Sequence, residues 1–254
     1  MAARSADPSG PQVRFATLRY VLTRLVAKAV TYSVVRVRVE GRERIPAGRP
    51  VVYCANHLNW ADPFVVLAVL PWRPWPYLFG PVEADMRRGL RNRIIAATGL
   101  AIPYRPGKEN LLEATRRASA ILRSGHALVI FGEGRIHAGE RELLPLSEGP
   151  AYFALRTGVP IVPLAINGTS WLGFGRRVRV RFGTPIEPAG RPSREAVAAL
   201  TATLETALRR LVADFPDPPP PGRFGRWLTE LFNEWPEGRR PEPPAQPVEP
   251  PAPG

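Results

Sequence analysis

A histidine and an aspartate, His57 and Asp62, stand five residues apart directly after the apolar run Val51 to Ala55. Residues at this separation lie about 140° apart around a helix axis, so the chain must turn between them for the two side chains to meet. Pro63 suits the first turn of a helix, which would place Asp62 at the helix mouth. The spacing therefore predicts a proton-transfer pair, with His57 as general base and Asp62 fixing its tautomer. The alternative is that Asp62 only caps the following helix.

A second set of chemically useful residues, Gly132-Glu133-Gly134-Arg135, follows the apolar run 127–131. The two glycines let the backbone turn sharply and approach a ligand closely. Arg135 could clamp a phosphate through paired hydrogen bonds, while Glu133 could orient that arginine or accept a bond from a backbone amide or ligand hydroxyl. The alternative is a surface turn with an ion pair.

Two further segments could complete the site. Arg105 ends the segment that begins at Gly99 and could contact the same anion. Pro160 opens the apolar run 160–164, which would shape a wall of the site. We therefore predict His57 and Asp62 as the catalytic pair and Arg105, Glu133, Gly134, Arg135 and Pro160 as substrate-binding residues.

Composition limits the other possibilities. The chain has 254 residues and a net charge of +13, and nearly all of its cations are arginines. Such charge favours anionic membranes, phosphorylated ligands or nucleic acid, but no helix-turn-helix, zinc or RNA-binding aromatic motif accompanies it, so we expect no specific nucleic-acid partner. Cys54, the sole cysteine, lies in an apolar run and is expected to be a small core residue. The spacing of histidines and cysteine predicts no metal site.

The order of apolar and amphipathic segments predicts an α/β fold: a mixed, largely parallel sheet flanked by helices. We expect three regions. Residues 1–34 form a disordered lead and an amphipathic, membrane-associating helix, and residues 35–215 form the main domain. Residues 216–254 hold a proline-rich linker, a short aromatic helix and a disordered tail.

Two amphipathic segments raise the question of a membrane. The helix predicted over 13–35 could lie among lipid headgroups or simply cover the core. The aromatic stripe of the C-terminal segment could pack on the domain or anchor at a membrane interface, where tryptophan is favoured. The sequence shows no signal peptide and no apolar run long enough to span a bilayer, so we expect peripheral association. The residues of the stripe are Phe224, Trp227, Leu228, Leu231, Phe232 and Trp235.

In their order, these blocks resemble the glycerolipid acyltransferase family that includes the 1-acylglycerol-3-phosphate O-acyltransferases. The family pattern is N-H-x4-D, G-x-x-F-I-x-R, F-P-E-G-T-R-S and V-P-I-V-P, and the resemblance covers roughly residues 35–188. The third block departs from it: Gly132 replaces the proline and Arg135 falls one place early. Ile136 and His137 then stand at the positions of the family's arginine and serine.

The resemblance implies transfer of a fatty acyl group from an acyl-coenzyme A or acyl-carrier-protein thioester to the hydroxyl of a lysophospholipid, foremost 1-acylglycerol-3-phosphate, giving phosphatidic acid. It implies no bound cofactor, since the thioester is a co-substrate, and peripheral or monotopic contact with an anionic membrane at the cytoplasmic face. Alternatives are another lysolipid or hydroxylated acceptor, or a non-catalytic lipid-binding member of the family.

Overall fold

The computed structural model describes residues 11–82, 89–104, 108–137 and 139–233. The predicted N-terminal lead and C-terminal tail, together with Arg105, lie outside these residues. The helices are α1 (Pro11–Val34), α2 (Asp62–Val69), α3 (Gly89–Thr98), α4 (Lys108–Arg123), α5 (Gly149–Thr157), α6 (Arg194–Ala213) and α7 (Arg223–Phe232). The strands are β1 (Arg36–Glu40), β2 (Val52–Ala55), β3 (Pro76–Val82), β4 (Ala101–Tyr104), β5 (Ala127–Phe131), β6 (Ile161–Asn167) and β7 (Arg177–Phe182).

The described strands form one sheet in the order β1-β7-β6-β2-β5-β3-β4. Every neighbouring pair is parallel except β6 and β7, which are antiparallel. The mixed, largely parallel sheet predicted from the sequence is thus confirmed. Strands β2, β5 and β6 lie at its centre, so the segments that follow them meet at one edge of the sheet.

Both faces of the sheet are covered, because successive side chains of a strand point to opposite faces. In β2, Tyr53 and Ala55 pack on the side of α1 and α2, whereas Val52 and Cys54 pack on the side of α4, α5 and α6. All four are buried. Burial raises the pKa of the Cys54 thiol, which fits the core role predicted for it.

Helix α1 turns an arginine inward and leucines outward. The guanidinium of Arg24 is fully buried and donates to the main-chain oxygens of Leu70 and Pro71, just past the carboxyl end of α2. These acceptors are orphan carbonyls of a helix end, where a cation is also favoured by the helix dipole. The exposed face of α1 is largely apolar and carries Leu18, Leu22, Leu25, Val26 and Val30, together with the exposed Arg19.

Candidate active site

The side chains of His57 and Asp62, predicted to act as a pair, lie next to each other at the end of β2. His57 lies in the loop that follows β2, and Asp62 is the first residue of α2. Their side chains meet with His57 Nδ1 2.9 Å from Asp62 Oδ2. The His57 ring also stacks on Phe131 at the end of β5, with 4.1 Å between ring centroids. Because Nδ1 is engaged by the carboxylate, Nε2 is the nitrogen available to a substrate proton.

Asp62 acts on the loop rather than on the helix that it begins. Its Oδ2 accepts the backbone N–H groups of Leu58 and Asn59, at 2.7 and 2.8 Å, in addition to the imidazole. No side-chain bond caps the start of α2, so the alternative of a simple cap is wrong. The Asp62 side chain is fully buried and that of His57 is 16 % exposed, so their interaction is little screened by solvent.

Glu133 fixes the backbone of His57 from the neighbouring strand end. Its side chain is fully buried. Oε2 accepts the His57 N–H at 2.7 Å, and Oε1 accepts the Leu144 N–H at 2.8 Å. Of the contacts predicted for this carboxylate, the bond from a backbone amide is the one the structure contains.

His137 belongs to the same cluster, and sequence reasoning did not single it out. Its N–H donates to the His57 carbonyl oxygen at 3.1 Å, and its Nε2 lies 2.7 Å from Glu133 Oε1. Its Nδ1 accepts the Gly139 N–H at 3.2 Å, which places the ring hydrogen on Nε2; the short contact of Nε2 with Glu133 is not aligned as a hydrogen bond. Both peptide groups of His57 are thereby held by residues 133–137. The available signal was its position, since His137 stands where the family pattern has serine.

Two other buried polar residues brace this edge of the sheet. The Asn56 amide exchanges two hydrogen bonds with the backbone of Ile166, at 2.7 and 3.0 Å, and so ties the end of β2 to β6. Glu140 accepts bonds from Ser170 and from the N–H of Gly168. Burial raises the pKa of Glu140, Asp62 adds to that rise, and the hydrogen bonds oppose it.

The predicted substrate-binding residues take different places. Gly134 is exposed with φ +67°, a conformation that favours glycine, and Arg135 beside it is also exposed. Arg135 forms no ion pair with any other residue that the structure describes. Pro160 is buried, and its carbonyl oxygen accepts the N–H of Val52 at the start of β2. This is the edge of the sheet opposite His57, so the structure does not bring Pro160 to the catalytic pair.

The Acyltransferase family model matches residues 36–167, from β1 to the end of β6. The chain therefore belongs to the acyltransferase family.

Two curated plant proteins are similar to this chain in sequence. A 1-acyl-sn-glycerol-3-phosphate acyltransferase of Cocos nucifera is 29% identical over 172 residues, which cover 59% of this chain and 50% of the relative. A chloroplastic 1-acyl-sn-glycerol-3-phosphate acyltransferase of Brassica napus is 22% identical over 151 residues, covering 59% and 42%. The chain thus spans about half the length of these curated relatives.

A solved structure shares the fold. The crystal structure of the 1-acyl-sn-glycerophosphate (LPA) acyltransferase PlsC from Thermotoga maritima superposes with a TM-score of 0.60 at 21% identity. The match covers 82% of this chain and 83% of that one. The likeness therefore extends over most of the chain and shows that the fold is shared.

Proposed function

We propose that this protein transfers a fatty acyl group from an acyl-coenzyme A or acyl-carrier-protein thioester to the hydroxyl of 1-acylglycerol-3-phosphate, giving phosphatidic acid. The observation that carries the proposal is the 2.9 Å contact between His57 Nδ1 and Asp62 Oδ2, which leaves Nε2 available as a base. The acceptor is suggested by the two plant relatives, which are 1-acyl-sn-glycerol-3-phosphate acyltransferases.

The mechanism needs no acyl-enzyme. His57 Nε2 takes the proton of the acceptor hydroxyl, the oxygen attacks the thioester carbonyl, and the carbon–sulfur bond breaks. The proton then passes from His57 to the leaving thiolate. Asp62 holds the tautomer and stabilises the imidazolium, and general-base assistance of this kind contributes ~10²–10⁴-fold. Glu133 acts as a positioning residue, because its carboxylate holds the His57 backbone.

Arg135 would bind the acceptor phosphate, with Gly134 giving its loop the required turn and Arg105 as a second cation. An exposed guanidinium suits bidentate binding of a phosphate. Arg135→Ala should raise KM for the acceptor and leave KM for the acyl thioester unchanged. The matched control is Arg191→Ala, an exposed arginine beyond the Ile161–Ile186 bridge at the opposite edge of the sheet. Equal effects of the two variants on KM for the acceptor would contradict this role.

The direct test uses purified protein, labelled acyl-coenzyme A or acyl-carrier protein, and a panel of lysolipid acceptors. We expect turnover with 1-acylglycerol-3-phosphate and its loss in His57→Ala. Turnover with another lysolipid alone would change the acceptor but keep the mechanism. Tight lipid binding without turnover would identify a non-catalytic lipid-binding member of the family.

We further propose peripheral association with an anionic membrane at the cytoplasmic face, through α1. None of the described helices has the length and apolarity needed to cross a bilayer. The apolar outer face of α1 supports the proposal, since such a face suits the headgroup boundary. Because α1 also packs on α2 through Arg24, its contribution is best tested with Leu22→Ser and Val26→Ser in a vesicle flotation assay rather than by deleting the helix. Unchanged flotation would remove α1 as an anchor.

A further inference from the structure

Helix α7 is amphipathic in the reverse sense to an ordinary surface helix. The face that lies against the domain is made of Gly225, Thr229 and Asn233, at a spacing of four residues, and all three are buried. The opposite face carries Phe224, Trp227 and Leu231, which are 53%, 55% and 59% exposed. These three side chains of the aromatic stripe therefore do not pack on the domain, whereas Leu228 is half-buried, and the Phe232 side chain and Trp235 lie outside the described residues. Ordinary surface helices turn their apolar face to the core.

The inward face of α7 is held by polar contacts. Thr229 Oγ1 accepts the N–H of Leu172 at 2.7 Å and donates to the Gly225 carbonyl oxygen. A Cβ at Gly225 would lie 2.7 Å from the Leu172 carbonyl oxygen, so the helix approaches this loop as closely as glycine allows. The outward orientation of the aromatic face is therefore imposed by the packing of α7.

The exposed aromatic side chains form one surface with Phe174, which is 72% exposed. The Phe174 ring stacks on that of Phe224 with 6.2 Å between centroids, and Phe224 contacts Trp227 at 5.6 Å. Together with Leu231, these residues form what we call the α7 patch. Contiguous exposed apolar surface rimmed by polar residues is typical of interaction sites.

Arginines outnumber acids near the α7 patch, although Glu230 is also exposed on α7. Arg223 and Arg226 are exposed on α7 itself. Arg36 and Arg177, which are partners in the parallel register of β1 and β7, are also exposed. Arg177 stands three positions after Phe174 in the sequence. Aromatic side chains rimmed by arginine match the boundary of an anionic bilayer, where tryptophan sits at headgroup depth and cations meet lipid phosphates.

The α7 patch lies beside the catalytic loop. Asn233, at the carboxyl end of α7, accepts the N–H of Trp60 at 3.0 Å through its side-chain oxygen, and Trp60 stands between His57 and Asp62. The other end of the patch lies close to α1. Phe174, which contacts Phe224 at the start of α7, is followed by Gly175, whose N–H donates to the carbonyl oxygen of Val34 at the end of α1. A ten-residue helix is ~15 Å long, so the patch is within one helix length of the loop.

We propose that the α7 patch docks on the surface of an anionic lipid bilayer and holds the catalytic loop next to that surface. It is a second docking element, separate from the outer face of α1. The proposal rests on the proposed function only in taking a membrane lipid as the acceptor. Binding of the patch to lipid is independent of turnover.

The test measures the partition of full-length protein onto vesicles of phosphatidylcholine mixed with an equal amount of phosphatidylglycerol. Removing one large, half-exposed apolar side chain from the interface should lower the partition coefficient roughly tenfold. We expect the double variant Trp227→Ser/Leu231→Ser to bind roughly a hundredfold more weakly than the unchanged protein. The matched control is Leu112→Ser on α4, because Leu112 is 57% exposed against 59% for Leu231. Its partition should be unchanged, and circular dichroism verifies the fold of each variant.

The turnover of the same variants separates docking from chemistry. With a short-chain acceptor that stays monomeric in water, the double variant should keep the rate of the unchanged protein, whereas its rate on acceptor embedded in vesicles should fall with its partition. If no protein turns over either acceptor, the proposed function fails, but the partition measurement still decides the docking.

Three results would overturn the proposal. One is an unchanged partition in the double variant, and another is an equal loss in Leu112→Ser. The third is a concentration-dependent dimer of the unchanged protein that the double variant cannot form, with vesicle binding intact, because the patch would then be an interface between two copies of the chain. Equal binding to vesicles of phosphatidylcholine alone would show that the arginines around the patch do not contribute to docking.

Discussion

Asp62→Asn is the sharpest test of the catalytic pair. The substitution keeps the shape of the side chain and a carbonyl oxygen that can accept the backbone N–H groups of Leu58 and Asn59. It removes the negative charge that faces the His57 ring. Neither group of the amide can stabilise an imidazolium as a carboxylate does, so the rate should fall while the loop keeps its course.

The size of the effect follows from the geometry. The contact between nitrogen and oxygen is 2.9 Å. Since both charges are delocalised over their groups, an effective separation of ~4 Å applies, and at an effective dielectric constant of ~20 the attraction is about 4 kcal/mol. Asp62 is fully buried, so solvent does not reduce this value much further. A loss of about 4 kcal/mol from the transition state corresponds to a fall in kcat of roughly 10³-fold.

The assay is steady-state turnover of 1-acylglycerol-3-phosphate with acyl-coenzyme A, with both KM values measured. We expect them to change little, because Asp62 contacts the protein rather than the substrate. Circular dichroism and thermal unfolding must show a folded variant. A folded Asp62→Asn protein that retains kcat within tenfold of the unchanged protein would refute the electrostatic role given to Asp62.

Three further predictions concern other buried groups. Glu133→Gln places an amide N–H₂ against a backbone donor, so kcat should fall by roughly 10–100-fold with KM for the acceptor unchanged, whereas a direct contact with substrate would raise that KM. Gly132→Ala should lower the free energy of unfolding, measured by urea denaturation, by about 1–3 kcal/mol, because the new Cβ would lie 2.7 Å from Cys54 Sγ. Adding Cys54→Ala should restore part of the lost stability. The control is Gly149→Ala, where a Cβ has room. Burial lowers the pKa of His126 from its ordinary 6.5, so the unfolded state takes up a proton at a higher pH than the folded state does, and the free energy of unfolding should fall as the pH drops below that value. The His126→Gln variant should lack this part of the pH dependence. Identical pH profiles for the two proteins would contradict the prediction.

Much of the fold could be predicted from the sequence, because the buried strands are short apolar runs. Apolar runs such as 127–131 predicted buried central strands, and the break between Ala55 and Pro63 predicted the turn that brings His57 to Asp62. What could not be read is the direction in which amphipathic helices face. A periodic pattern shows that two faces differ, but α7 lies with its polar face on the domain because Thr229 and Asn233 find backbone partners in distant loops. The hydrogen bond from the His57 N–H to Glu133 could not be predicted for the same reason, since 76 residues separate the two in the sequence.

The altered third block bears on the position of His57 as well as on the proposed phosphate binding. Glu133 accepts the N–H of His57, and the N–H of His137 donates to the carbonyl oxygen of the same residue. Gly132 supports this arrangement, because its own N–H donates to Ala55 at 2.9 Å and a proline at this position would have no hydrogen to donate. Residues 132–137 therefore join β5 to the end of β2 and to the His57 loop through three hydrogen bonds, two of them between backbone groups. Changes at Gly132, Glu133 and His137 should consequently alter kcat through the position of His57, whereas a change at Arg135, whose side chain is exposed, should act on acceptor binding if its proposed role is correct.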